Sequence, residues 1–200
     1  MNNLPLKIGV TGSIGMGKTT IVKEIAKYNI PTWNSDDAVH VLYKKGNKGY
    51  NIIQELVPDA ATDKTVNRDV LSKAILKNPS LLKIIEKVIH PLVEIDRLSF
   101  IKTNNNEKLI VFDIPLLFET SCDIWLDYTI AAIAPFSVQK ERVLARKSMT
   151  EEKFLYLLSK QFKIEKVIKK ADFVLSTDVN LETLSVKINA ILKEILDNYA

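Results

Sequence analysis

The 200-residue sequence contains one cysteine, six glycines and seven prolines, and it has no apolar run of about 18 residues. Cys122 has no second cysteine with which to form an intramolecular disulfide, so we expect a reducing compartment, the cytoplasm. Without a long apolar run, no transmembrane helix is expected. The N-terminal segment also lacks the basic start and long apolar core of a signal peptide. The whole sequence is 46% hydrophobic and 26% charged, a composition typical of a globular domain.

The net charge is mildly positive, +4 at pH 7, and basic residues are densest between positions 140 and 170. Such a charge suits an anionic small-molecule substrate and supports nucleic-acid binding only weakly. We therefore expect neither a nucleic-acid partner nor a membrane partner. The composition is compatible with a monomer or a small homo-oligomer.

Short apolar segments alternate with segments of helical periodicity along the chain, which predicts a five-stranded parallel sheet with helices on both faces. The predicted strands are 7–10, 30–33, 109–112, 128–133 and 173–175. The predicted helices are 18–28, 39–43, 50–57, 68–76, 80–102, 137–147, 151–162 (with Thr150 as N-cap) and 181–199. The helices between the second and third strands are too many for a simple crossover. We expect one domain over residues 1–200, with a helical substrate-binding insertion at about 45–105 and a lid at about 137–168.

Residues 12–19 read Gly-Ser-Ile-Gly-Met-Gly-Lys-Thr and match the P-loop pattern at every fixed position, between a predicted strand and a predicted helix. In such a loop, backbone N–H groups wrap phosphate oxygens and the helix start adds a favourable dipole. Lys18 is predicted to reach the β- and γ-phosphates of ATP, and the Thr19 hydroxyl is predicted to bind Mg²⁺. The P-loop NTPase fold is therefore expected. The predicted nucleotide-binding residues are Gly12, Ser13, Ile14, Gly15, Met16, Gly17, Lys18, Thr19 and Thr20.

Two carboxylates follow predicted strands, where ligands of parallel sheets collect. Asp113 is predicted to contact Mg²⁺ or the substrate, the alternative being an exposed turn residue. No Glu follows Asp113, which argues against a motor ATPase. Asp36 is a candidate general base for a substrate hydroxyl, although taken alone it fits better as the N-cap of the next helix.

Two further nucleotide-binding classes are disfavoured because their motifs are missing. The sequence has no Asn-Lys-x-Asp guanine signature and no His-Arg-Asp catalytic loop, so neither a GTPase switch nor a protein kinase is expected. Two alternatives stay open at this point. One is a kinase for another small molecule, and the other is a hydrolytic or non-enzymatic nucleotide-binding protein that acts on nucleic acid.

Taken together, the motifs resemble those of the dephospho-CoA kinase family along nearly the whole chain. The matching segments are residues 9–20 (its G-L-T-G-G-I-G-S-G-K-S-T), 34–36 (its D-A-D or D-S-D box), 90–91 (its His-Pro pair), 113–119 (its D-V-P-L-L-F-E signature) and 171–174 (its A-D-[FY]-V strand start). The resemblance implies transfer of phosphate from ATP, with Mg²⁺, to the ribose 3′-hydroxyl of dephospho-CoA. The products would be CoA and ADP, in the last step of CoA synthesis.

The resemblance also implies roles for individual residues. Asp36 becomes the expected general base, with Lys18 and Arg142 as further catalytic residues. Arg142 and Arg146 become lid arginines that contact the triphosphate, and Gln161 belongs to the same lid. The expected substrate-binding residues are Asp36, His90, Asp113, Leu116 and Leu117.

Two positions depart from the family pattern. Asn34 replaces the first acid of the D-x-D box, which keeps hydrogen bonding and loses a charge. Lys160 stands where many members have Arg, and a lysine cannot form a bidentate fork with phosphate. Arg142 and Arg146 are four residues apart, so a helix through both would place them on one face.

Overall fold

A computed structural model describes residues 4–147 and 149–198 of the chain. The strands are β1 (Leu6–Thr11), β2 (Thr32–Asn34), β3 (Leu109–Asp113), β4 (Tyr128–Ile133) and β5 (Phe173–Ser176). The helices are α1 (Lys18–Ala26), α2 (Ser35–Leu42), α3 (Lys48–Leu56), α4 (Arg68–Lys77), α5 (Ser80–Thr103), α6 (Phe136–Leu144), α7 (Glu151–Ser159), α8 (Ile164–Lys170) and α9 (Leu181–Asp197). Two short 3₁₀ turns lie at Pro58–Ala60 and Cys122–Trp125.

The five strands form one sheet in the order β2-β3-β1-β4-β5. β1 pairs in parallel with β3 and β4, and β4 pairs in parallel with β5. All five residues of β3 are buried, as expected for a strand covered on both faces. The predicted parallel sheet flanked by helices is confirmed.

Two predicted helices end three residues earlier in the structure. The helix predicted at 137–147 ends at Leu144, so Arg146 lies beyond it. The helix predicted at 151–162 ends at Ser159, and a separate helix, α8, follows. The Thr150 hydroxyl accepts a hydrogen bond from Lys153 N, which confirms Thr150 as the N-cap of α7. Tyr199, the predicted end of the last helix, lies outside the described residues.

The chain divides into two compact units, residues 1–33 with 104–200 and residues 34–103. The first unit contains the sheet core, in which Ile8, Val10 and Ile130 pack with Ile21 of α1 and Ile188 of α9. These side chains come from strands and helices on both sides of the P-loop sequence. Their packing holds the strand and helix that flank the loop.

The second unit is helical and has its own core. Ile53 of α3, Leu71 of α4 and Ile85 of α5 are buried there together with Tyr43 and Tyr50. This unit begins at Asn34, earlier than the insertion predicted at about 45–105, because α2 belongs to it. Within the described part of the chain, no helix has the length and apolar character needed to cross a bilayer.

Candidate active site

The loop at residues 12–17 connects β1 to α1, as the P-loop motif predicts. Gly15 and Gly17 have backbone φ angles of +79° and +84°, which residues other than glycine rarely adopt. At Gly17 a β-carbon would also lie 2.6 Å from the Thr177 hydroxyl oxygen. Conformation and space both require glycine at this position, which is the N-cap of α1.

The side chain of Lys18, the first residue of α1, forms an ion pair with the carboxylate of Asp113 at the end of β3. Both groups are shielded, with 13% of the Lys18 side chain and 2% of the Asp113 side chain exposed. Burial rules out the alternative that Asp113 is an exposed turn residue. The structure thus brings two of the predicted site residues together.

Arg142 on α6 is held by Thr177, the residue after β5. One guanidinium nitrogen donates to the Thr177 hydroxyl and the other donates to the Thr177 carbonyl, both at 2.8 Å. The Thr177 hydroxyl in turn donates to the Met16 carbonyl at 2.8 Å. Arg142 is therefore tied to the P-loop through Thr177, with its planar fork fixed by two hydrogen bonds.

Two glutamines contact the tip of the P-loop at Ile14. The Gln139 amide donates to the Ile14 carbonyl at 2.7 Å, and the Gln161 side-chain oxygen accepts from Ile14 N at 3.0 Å. Sequence reasoning missed Gln139 and Thr177 as functional residues. For Gln139, the available signal was a polar residue at a buried position of a helix.

The segment 113–119 packs against the strand that leads into the P-loop. The Thr11 hydroxyl donates to the Pro115 carbonyl at 3.2 Å, and Ile114 N donates to the Val10 carbonyl at 3.0 Å. Leu116 is 37% exposed, whereas Leu117 has no exposed surface and packs where Gly9 leaves space. Of the two predicted substrate-binding leucines, only Leu116 offers surface to a ligand in this structure.

In the helical unit, Asp36 and Asp37 lie exposed in the first turn of α2. The N-cap of α2 is Asn34, whose side-chain oxygen accepts from Asp37 N at 3.0 Å. The interpretation of Asp36 as an N-cap is therefore wrong, because Asn34 already fills that role. Asp36 keeps an exposed carboxylate, a requirement for a base that must reach a substrate.

His90 and Arg146 are both exposed side chains. His90 lies on α5 next to Pro91, which has no N–H to donate to the carbonyl of the preceding turn. Arg146 follows the C-cap of α6, and its N–H donates to the Val143 carbonyl at 3.1 Å in a turn. The premise that Arg142 and Arg146 share one helix face is thus wrong, because α6 ends before Arg146.

Residues 6–183 match the family model described as Dephospho-CoA kinase. The chain belongs to the dephospho-CoA kinase family. A dephospho-CoA kinase of Mesorhizobium japonicum is 38% identical over 190 residues, covering 94% of this chain and 95% of its own. A second dephospho-CoA kinase, from Jannaschia sp., is 41% identical over 171 residues, covering 86% of this chain and 88% of its own.

Solved structures share the fold of this chain. The protein TT1252 of Thermus thermophilus superposes with a TM-score of 0.82 at 30% identity, covering 96% of this chain and 98% of its own. The dephospho-CoA kinase of Campylobacter jejuni has a TM-score of 0.71 at 22% identity, covering 97% of this chain and 98% of its own, which shows a likeness of fold. Shikimate kinase of Acinetobacter baumannii has a TM-score of 0.53 at 14% identity, covering 97% of this chain and 94% of its own, which again shows a likeness of fold.

The family implies ATP as phosphate donor, and kinases of this kind use Mg²⁺ with it. Over residues 4–147 and 149–198, no group of three or more His, Cys, Asp or Glu side chains could hold a metal by itself. The exposed Thr19 hydroxyl and the buried Asp113 carboxylate are both oxygen donors of the kind Mg²⁺ prefers. Because Mg²⁺ commonly binds through one carboxylate and substrate phosphates, this donor set fits an ion that arrives with ATP.

Proposed function

We propose that the protein transfers the γ-phosphoryl group of ATP to the ribose 3′-hydroxyl of dephospho-CoA, giving CoA and ADP. The observation that carries this proposal is the P-loop with its Lys18–Asp113 pair, in a chain that belongs to the dephospho-CoA kinase family. The exposed carboxylate of Asp36 and the guanidinium of Arg142, which Thr177 holds beside the P-loop, add support. The enzyme is proposed to work in the cytoplasm, as the single cysteine favours.

Asp36 is the proposed general base. The 3′-hydroxyl must lose its proton as it attacks phosphorus, and a carboxylate within hydrogen-bond reach of that hydroxyl can accept it. The exposure of Asp36 and the use of Asn34 as the N-cap support this role. His90 and Leu116 are proposed to contact the CoA moiety, which their exposed surfaces permit.

Lys18, Thr19 and Arg142 are proposed to act on the triphosphate. Phosphoryl transfer gains most of its acceleration from positioning and from charge stabilisation on the transferred group. Lys18 supplies one positive charge, and Thr19 with Asp113 would hold Mg²⁺, which neutralises charge on the β- and γ-phosphates. Arg142 supplies a further cation that its contacts with Thr177 hold in place. Arg146 is proposed to bind the phosphates with its exposed guanidinium group.

A coupled ADP-release assay with ATP and Mg²⁺ tests the proposal. Dephospho-CoA is compared with AMP, with nucleosides and with no acceptor. Among the acceptors tested, we expect only dephospho-CoA to support turnover. We expect Asp36→Asn to lower kcat by roughly 10²- to 10⁴-fold. Asp37→Asn is the matched control, because Asp37 is the adjacent exposed carboxylate in the same helical turn.

The other outcomes discriminate between functions. ADP release that needs a different acceptor would replace the proposal with another small-molecule kinase. ADP release without any acceptor would indicate a hydrolase. An equal loss of kcat in Asp36→Asn and Asp37→Asn would remove Asp36 as the base.

A further inference from the structure

Ile14 at the tip of the P-loop is held on both of its backbone polar groups. Gln139 of α6 donates to its carbonyl at 2.7 Å, and Gln161 accepts from its N–H at 3.0 Å. The Gln139 side chain is buried, with the residue 2% exposed. Next to this contact, a β-carbon on Gly15 would lie 2.5 Å from Val143, so α6 packs directly on the loop.

These contacts fix two successive peptide planes. Because a trans peptide points its N–H and C=O in opposite directions, the bond to Gln139 also sets the direction of Gly15 N–H. The bond from Ile14 N to Gln161 likewise sets the direction of the Ser13 carbonyl. That carbonyl accepts from Met16 N at 3.0 Å and closes the turn inside the P-loop. The shape of the loop therefore depends on where Gln161 is held.

Gln161 is held through its neighbour in sequence. Phe162 N donates to a carboxylate oxygen of Glu119 at 2.7 Å. Glu119 is the last residue of the D-I-P-L-L-F-E segment, and its side chain is half-buried. Residues 161 and 162 thus have two consecutive long-range anchors, one to the P-loop and one to Glu119. They lie where the chain leaves α7 and before it enters α8.

We propose that Glu119 is a positioning residue for nucleotide binding, acting through Gln161 on the backbone of the P-loop. Glu119 fixes Phe162, which places Gln161 to hold Ile14 and, through Ile14, the Ser13–Met16 turn. In this proposal Glu119 acts through Gln161 and not by binding phosphate or acceptor itself. The inference rests on the proposed function only in that the P-loop binds ATP.

The test is a titration of a fluorescent ATP analogue against Glu119→Ala, Gln161→Ala and the double variant, without any acceptor. Each single variant is expected to raise the Kd about five- to tenfold, the effect of losing one hydrogen bond. Because the two residues act in series, the double variant is expected to bind as weakly as Gln161→Ala and no more weakly. The KM for dephospho-CoA is expected to stay within about twofold, because the acceptor site is not touched.

Two variants separate positioning from loss of folding. Glu119→Gln keeps a side-chain oxygen that can accept from Phe162 N, so wild-type Kd is expected. Asp123→Ala is the matched control, since Asp123 is a nearby carboxylate that pairs with Lys170 of α8 at 3.1 Å rather than with residues 161–162. Melting temperatures of all variants are measured alongside. Unchanged Kd in Glu119→Ala, multiplied effects in the double variant, or an equal effect of Asp123→Ala would overturn the inference.

Nucleotide binding is measured without an acceptor, so the result stands apart from the identity of the acceptor. A wild-type protein that binds the analogue but does not phosphorylate dephospho-CoA would overturn the proposed function alone. A wild-type protein that phosphorylates dephospho-CoA, together with an unchanged Kd in Glu119→Ala, would overturn the positioning role alone.

Discussion

Lys18 at the start of α1 and Asp113 at the end of β3 form a shielded ion pair beside the P-loop. Each charge is compensated by the other in the protein itself. Removing one partner of such a pair leaves an uncompensated charge, a change that typically costs about 3–5 kcal/mol when the pair is fully buried. The pair places the proposed phosphate-binding cation, Lys18, in direct contact with the candidate Mg²⁺ ligand, Asp113, so binding of Mg²⁺ and ATP is expected to be coupled.

Asp113→Asn tests this coupling. The substitution preserves size and hydrogen bonding but removes the charge that would help to hold Mg²⁺. We expect kcat to fall roughly 10²-fold and the Mg²⁺ concentration at half-maximal rate to rise. Initial rates measured over a Mg²⁺ titration check this. Asp127→Asn is the control, because Asp127 lies 3.5 Å from Lys7 in a more exposed pair, and equal losses in both variants would contradict the role of Asp113.

Arg142→Ala is expected to lower kcat more than it raises the KM for dephospho-CoA. The reason is that a cation on the triphosphate stabilises charge in the transition state rather than binding of the acceptor. Steady-state kinetics with both substrates varied measure the split. Lys147→Ala removes an exposed cation beyond α6 and is expected to change neither constant, whereas an unchanged kcat in Arg142→Ala would refute the prediction.

Thr177→Val separates the position of Arg142 from its charge. Valine keeps the shape of threonine but loses the hydroxyl that binds Arg142 and the Met16 carbonyl. We expect a five- to tenfold loss of kcat/KM, about the effect of one hydrogen bond. Thr177→Ser keeps the hydroxyl and is expected to retain activity. Similar losses in both variants would point to packing against Gly17 instead.

Asn34 caps α2, and this predicts how its replacements behave. Asn34→Ala is expected to lower the free energy of unfolding by about 1 kcal/mol, because the Asp37 N–H loses its acceptor. Asn34→Asp restores the acid of the family pattern and keeps the cap, so stability is expected to stay within about 0.5 kcal/mol. Urea unfolding of the two variants beside wild type measures both values. A destabilised Asn34→Asp with a stable Asn34→Ala would show that capping is not the main role.

Because of Tyr43, the free energy of unfolding is expected to fall at alkaline pH. Burial raises the pKa of the Tyr43 hydroxyl above its ordinary value of 10.0, and the Arg68 guanidinium partly offsets the rise. The unfolded chain therefore loses this proton first, so the stabilisation is complete below pH 10 and is lost as pH rises through the folded pKa. The unfolding free energy of wild type minus that of Tyr43→Phe is expected to be flat below about pH 9 and to fall above about pH 10. A flat difference up to pH 11 would contradict the shift.

Much of the fold follows from local pattern. The buried run of β3, the P-loop between β1 and α1, and the N-cap Thr150 were all predicted from short-range signals, because strand periodicity, glycine geometry and capping act over a few residues. The ends of α6 and α7 could not be predicted this way. The helical pattern continues past Ser159, but residues 161 and 162 bind Ile14 and Glu119 instead of continuing the helix.

By itself, the sequence determined the phosphate loop, the parallel sheet and the family resemblance, because these depend on the kinds of residue at fixed short spacings. Only the tertiary structure decided which side chains hold that loop. Asp113 pairs with Lys18, Thr177 holds Arg142, and Gln161 binds Ile14 across 147 residues of chain. Contacts at such separations leave no periodic trace in the sequence. They arise when packing of strands and helices brings one donor within reach of one acceptor.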